Sequence, residues 1–331
     1  MSTNIKYLVA LVLILLSAVS SNVNRGLMTM PPMGMMPGGS TTTGTQCGTT
    51  ATSSSVTITV TTDDAVGTKT GYPGGYRLFT ANGCPGYDWT SQSTPNKAYE
   101  QTKSVKVPVT PMIAKTPWAT GIKNVDGTTN TNPSKGSIGI AINGVSLYGN
   151  ADATNGDAFI NEGKTFDKCN GHPQNAGDYH YHMEPVSGCV FKDTAGQHSP
   201  LFAVMYDGIP LYGQLGDNGV APTDLDACGG HTDKTYPFYH YHLPKAQAFP
   251  YLVACLKGCI FSNQINGLTA VTVATCDKAT TQYDYSTLKV VAASSGTSPA
   301  PTPTPSSGSN SRNVQGYLIL SIIFSLLILF F

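Results

Sequence analysis

The chain has 331 residues, 19 Lys+Arg against 19 Asp+Glu, and no net charge. Only 11% of residues are charged, where an average soluble domain carries about 25%. That balance leaves no electrostatic footprint for nucleic acid, and it fits neither a coiled coil nor a wholly disordered, highly charged chain.

In chain order, the first feature is an apolar run from Tyr7 to Leu16, preceded by Lys6 and followed by Ser17, Ala18, Val19 and Ser20. A short apolar core ahead of small residues predicts a secretory signal peptide over 1–20. The run is shorter than the ~20 apolar residues of a membrane span. Residues 21–46 are low in complexity, with Met28, Met30, Met33, Met35 and Met36 among Pro, Gly and Thr. They read as a disordered arm, although thioethers are also soft ligands suited to Cu(I).

From Cys47 to about Val291 the pattern turns to strands. Ser55–Thr61 alternates β-branched and small residues with period two. Ser104–Val109, Ser137–Ile142, Leu201–Tyr206, Leu252–Leu256 and Leu268–Val273 are further candidates, punctuated by Gly, Pro and Asn-Gly. No long segment carries apolar residues at helical spacing. The expected fold is mainly β: packed sheets or a sandwich-like domain over 47–291, stabilised by disulfides.

An internal duplication is expected within it. IGIAINGVSLYG (138–149) resembles FAVMYDGIPLYG (202–213), and FDKCNGHPQNAGDYHYHMEP (166–185) resembles LDACGGHTDKTYPFYHYHLP (225–244). The halves run over about 138–190 and 202–260. The eight cysteines lie between Cys47 and Cys276. An even number in an oxidising compartment predicts four disulfides. By the repeat, Cys169 pairs with Cys189 and Cys228 with Cys259, leaving Cys47 with Cys84 and Cys255 with Cys276.

The repeated blocks hold six of the seven histidines: His172, His180, His182, His231, His240 and His242. Residues at i and i+2 of a strand share a face. His180 and His182 therefore project together, with Tyr179 and Tyr181 opposite, and His240 and His242 do the same. His-x-His on a strand can chelate one ion, and His172 or His231 can complete a three-nitrogen set suited to Zn or Cu. The competing reading is a Tyr/His cross-strand ladder that stabilises the sheet without metal. Asp207, in the Asp-Gly turn before Ile209-Pro210-Leu211-Tyr212-Gly213, reads either as a structural turn or as a carboxylate beside the histidines, the candidate catalytic base. Asn143 holds the matching position in the first half.

These motifs resemble the YHYH domain family. The resemblance rests on Gly177-Asp178-Tyr179-His180-Tyr181-His182 and the preceding Asn170-Gly171-His172-Pro173-Gln174. His198-Ser199-Pro200 then leads into Tyr206–Gly213, followed by Tyr236–His242 and Phe249-Pro250-Tyr251. Upstream, Asn82-Gly83-Cys84-Pro85 is similar to the family's Asn-Gly-x-Pro opening, with Tyr87 where a histidine often follows. The resemblance spans roughly Asn82 to Gly258. It implies a secreted or surface β-rich domain and no settled activity.

Residues 292–309 are a Ser/Thr/Pro/Gly stalk. Residues 310–331 pair a polar spacer with an apolar tail from Tyr317 to Phe331, the pattern of a GPI-attachment signal, with Ser306 or Ser307 as the attachment site. The competing reading is a retained C-terminal membrane helix. The expected protein sits on the extracellular face of the plasma membrane through a C-terminal lipid anchor and binds no nucleic acid. Its expected role is to bind Cu or Zn. The alternatives are a structural or adhesive coat protein without metal, and a secreted metallohydrolase or copper oxidase using histidine and Asp207. HExxH and GxSxG motifs are absent from the sequence.

Overall fold

The computed structural model describes residues 44–62, 71–72, 74–94, 96–261 and 276. The signal peptide, most of the Met-rich arm, the strand candidate at 268–273, the stalk and the C-terminal signal with Ser306 and Ser307 lie outside the described residues. Within them the protein is mainly β. In chain order the strands are β1 (Val56–Thr61), β2 (Tyr76–Ala81), β3 (Lys103–Pro108), β4 (Ile113–Ala119), β5 (Ser137–Ala141), β6 (Ser146–Tyr148) and β7 (Gly171–Pro173). They continue as β8 (Tyr179–Tyr181), β9 (Leu201–Met205), β10 (Pro210–Tyr212), β11 (Gly230–His231), β12 (His240–His242) and β13 (Cys255–Gly258). The α-helix among the described residues is α1 (Ala158–Glu162), started by the Asp157 carboxylate accepting from Ile160 N.

β1, β2 and β3 form an antiparallel meander in which Ile58 faces Phe79 and Phe79 faces Val105. β3 alternates buried and exposed residues as its sequence does, whereas β1 is an edge strand with little burial. β4 and β13 make a separate antiparallel pair.

The third sheet has eight strands in the order β11-β12-β10-β9-β5-β6-β8-β7. β5 and β9 pair antiparallel at its centre. Outward on each side come a hairpin partner (β6 or β10), a parallel strand (β8 or β12) and an antiparallel edge strand (β7 or β11). The two hairpins close alike. Gly144 N donates to Ala141 O and Gly208 N to Met205 O, both at 2.8 Å. Each turn needs the glycine, because φ is 81° at Gly144 and 84° at Gly208. β9, Leu-Phe-Ala-Val-Met, is apolar at every position because the centre of the sheet is covered on both faces. Ile138, Ile140, Leu147, Phe202, Val204 and Leu211 form that core.

Disulfides join Cys47 to Cys84, Cys169 to Cys189, Cys228 to Cys255 and Cys259 to Cys276. The last two correct the repeat-based pairing of Cys228 with Cys259 and Cys255 with Cys276. Cys255 opens β13 with its Cα 4.7 Å from that of Cys228. Cys259 lies past the end of β13 in a small separate cluster with Tyr72, Met112, Phe261 and Cys276. The strand, rather than the neighbouring Gly-Cys dipeptide, decides which sulfur reaches which.

Candidate metal centres

The Tyr-His-Tyr-His segments become the short parallel strands β8 and β12, each three residues long. Alternation then sorts the side chains onto two faces.

The tyrosine face is a buried hydrogen-bond network. Tyr87 OH meets Tyr179 OH at 3.0 Å and Tyr181 OH at 2.7 Å. Tyr179 donates to Asp167, and Asn143 Nδ2 donates to Tyr181 OH at 3.1 Å. In the second half Tyr239 donates to Asp226 and Tyr241 to Asp207 Oδ2 at 2.7 Å. Burial raises the Tyr179, Tyr181 and Tyr241 hydroxyls above their ordinary range, so they stay protonated donors. Asp207 belongs here. It is fully buried and accepts from Tyr241, from Ile209 N at 3.0 Å and from Gly258 N at 2.9 Å. Burial pushes its carboxyl up to about 6. The reading that placed Asp207 beside the histidines is therefore corrected: Tyr241, which it holds, points away from His240 and His242.

The histidine face converges. At the first centre His180 Nε2 and His182 Nε2 stand 3.1 Å apart, and one donor nitrogen from each of His172, His180 and His182 lies within 4.8 Å of the others. Their tautomers are set from outside. His180 Nδ1 meets Asp178 O at 3.1 Å and His182 Nδ1 meets Gly149 O at 2.6 Å. A carbonyl can only accept, so both Nδ1 atoms carry hydrogen. Thr165 Oγ1 donates to Glu162 O at 2.7 Å and so accepts from His172 Nδ1, also at 2.7 Å. Three Nε2 lone pairs are thus aimed at one another. His172 Nε2 is buried without a hydrogen-bond partner. Beside them Glu162 Oε2 lies 3.7 Å from His172 Nε2 and 3.6 Å from His182 Nε2.

The second centre repeats the arrangement with more donors. His240 Nε2 and His242 Nε2 are 3.1 Å apart, their Nδ1 atoms donating to Phe238 O at 2.9 Å and Gly213 O at 2.7 Å. His198 adds its Nε2 at 3.4 Å from His240 Nε2, with Nδ1 donating to Ser199 O. Asp233 Oδ2 lies 3.3 Å from His198 Nε2, and these four residues form the tight donor group. His231 stands just outside it. Its ring is 5.0 Å from those of both His240 and His242, its Nδ1 is held by Asp224 at 2.8 Å, and its Nε2 is buried without a partner.

Burial, the leading cause in each case, keeps His172, His180, His182, His240 and His242 neutral. His172 and His242 are pushed down to about 3, His182 and His240 to about 4, and His180 well below the ordinary value. A neutral imidazole with its Nδ1 hydrogen pinned and its Nε2 free is the ligand form of histidine, and the carbonyls that pin it are the partners that orient metal-bound histidines. Two bare Nε2 atoms at 3.1 Å have no hydrogen between them, so a shared cation is what relieves their facing lone pairs. The residues present therefore fit a metal ion.

The sequence pattern puts His180 with His182, and His240 with His242, on one strand face; the structure adds His172, which lies on β7 rather than on a loop, to the first group. Sequence reasoning missed His198, Asp233 and Glu162 as site residues. His198 lies in the segment that resembles the family, and Asp233 stands two residues after His231. Glu162, on α1, carries no motif.

The model of the family described as YHYH protein matches residues 104–222, so a YHYH domain is present there. That span contains the whole first centre and His198, and it ends before β12. No curated protein matches the chain, and no solved structure matches it.

Proposed function

We propose that this chain is a cell-surface protein that binds zinc or copper, one ion in each histidine centre. The observation that carries this reading is the convergence of Nε2 lone pairs whose tautomers are fixed by outward Nδ1 hydrogen bonds. Three imidazoles with a nearby carboxylate suit Zn(II) or Cu(II). Every cysteine is in a disulfide, so no thiolate competes for the ion or biases the site toward soft Cu(I). Those disulfides also support an oxidising compartment. The signal-like 1–20 segment and the anchor-like 310–331 segment support export and lipid anchorage. The histidines hold the ion and the Tyr/Asp face fixes their strands.

Metal analysis of the gently purified protein should find two ions per chain, with thermal stability falling on chelation and recovering on adding Zn or Cu. Protein that purifies without metal and shows no thermal shift with either ion would contradict the proposal. Release from cells by a phosphatidylinositol-specific phospholipase tests the anchor.

A further inference from the structure

The two centres share a strand plan but not their surroundings. The loop between His231 and Tyr239 is one residue longer than that between His172 and Tyr179. The longer loop supplies Asp233 to its donor group. It also supplies Tyr236, which stacks on Tyr212 at 4.5 Å and meets His198 edge-on at 4.7 Å. Tyr212 meets the same imidazole at 5.0 Å. The second centre is thus ringed by four donors, His231 and two aromatic walls.

The shorter loop gives the first centre neither an acidic donor nor an aromatic wall; the aromatic residues there are Tyr148, stacked on His180 at 4.1 Å, and Phe166, edge-on to His172 at 4.8 Å. Gln174 stands two residues after His172, where Asp233 stands two after His231, and no aromatic residue lies between Pro173 and Asp178. The tight donor group is three histidines alone. Glu162 lies close to two of the three Nε2 atoms but outside that group. The centre opens into a cavity of about 400 Å³ whose walls include His172, His180, His182, Glu162, Gln174 and Lys135. Lys135 is exposed and forms no ion pair among the described residues. The cavity's other carboxylate, Asp152, is held by Thr154, Gly156 and Asn161.

Closed four-donor sets are structural, whereas three-donor sets with a free position bind exogenous ligands. We infer that the centres divide their work, an inference that rests on the metal-binding reading above. The second centre is closed and structural. The first is an open centre that takes a small anionic oxygen-donor molecule from the cavity, one oxygen on the metal and its charge toward Lys135. The cavity is at the small end of ligand sites, which selects a small carboxylate or inorganic anion over a polymer. Glu162 is the positioning residue that accepts a hydrogen bond from water on the metal when the anion is absent.

The test loads the purified protein with Co(II) and titrates it with azide and then acetate, reading the cobalt d–d absorption. One of the two ions should respond and the other should not. Lys135→Gln should weaken both anions about two- to fivefold, the scale of one exposed charge pair. Gln174→Asp should supply the missing fourth donor and abolish the response while both ions stay bound. Equal responses from both ions, or none from either, would overturn the division of work while leaving metal binding intact. Failure to bind cobalt at all would overturn the metal-binding reading itself. The wild-type titration decides the matter even if Gln174→Asp does not fold.

Discussion

Acidifying the metal-free protein should unfold it at a pH where most disulfide-bonded domains remain folded. His172, His180, His182, His240 and His242 are buried and neutral, with folded-state values lowered to about 4, about 3 or further. In the unfolded chain each returns to about 6.5. Below that value the unfolded state takes up protons that the folded state refuses, so stability is fully present above pH 6.5 and is lost as pH falls toward 4. At pH 5.5 each such histidine costs about 1.4 kcal/mol by linkage. Five of them cost about 7 kcal/mol, comparable with the whole stability of a typical domain, about 5–15 kcal/mol. Asp207 works in the opposite sense. Its carboxyl is raised to about 6 and offsets about 1 kcal/mol. The remaining loss should lower the melting temperature by roughly 10–25 °C between pH 7.5 and 5.5. Near-UV circular dichroism during heating, in a strong chelator, measures it. Saturating Zn(II) should restore much of the loss, because the ion occupies the Nε2 atoms that protons would take. A melting temperature unchanged over that range in chelator would refute the reasoning, since it would mean that the imidazoles are not buried in neutral form.

Three further outcomes follow from individual contacts. Asp207→Ala leaves Tyr241 OH, Ile209 N and Gly258 N without their acceptor, which should cost about 3–6 kcal/mol in chemical denaturation. The folded fraction should still bind two ions, because the site does not use this carboxylate. Gly149→Ala would set a Cβ 2.2 Å from Thr120 O and displace the carbonyl that pins His182 Nδ1. Metal analysis should then show loss of the first ion and retention of the second. Replacing Cys228 and Cys255 together by serine opens a loop of sequence separation 27 and should lower stability by about 3–4 kcal/mol, whereas a Cys228/Cys259 linkage would appear as a different cystine peptide in mass spectrometry.

Much of the site was legible because the period-two rule acts over very short range. Tyr-His-Tyr-His alternates whatever the length of the strand, so the shared face of His180 and His182, and of His240 and His242, follows directly from the sequence. The hairpins β5–β6 and β9–β10 each give one strand, β5 and β9, to the central pair of the sheet. What escaped depends on distance in the chain. His198 precedes β9 and reaches a strand some forty residues on, at 3.4 Å from His240. Glu162 reaches His172 from a five-residue helix too short to show a period. β4 carries Pro117 inside an edge pairing, which masks it as a strand. The cysteine partners were misread because a dipeptide match says nothing of where β13 turns its ends. Asp207 kept two readings, a structural turn and a carboxylate beside the histidines, because an Asp-Gly turn does not announce which face its carboxylate serves.

The most direct test of the account is a crystal of the protein grown with Zn(II) and measured at the zinc absorption edge. The account predicts two anomalous peaks. One should lie about 2.0–2.1 Å from the Nε2 atoms of His172, His180 and His182, and the other at the same distance from those of His198, His240 and His242. No anomalous density at either point, with the Nε2 atoms hydrogen-bonded to water or to one another instead, would contradict it.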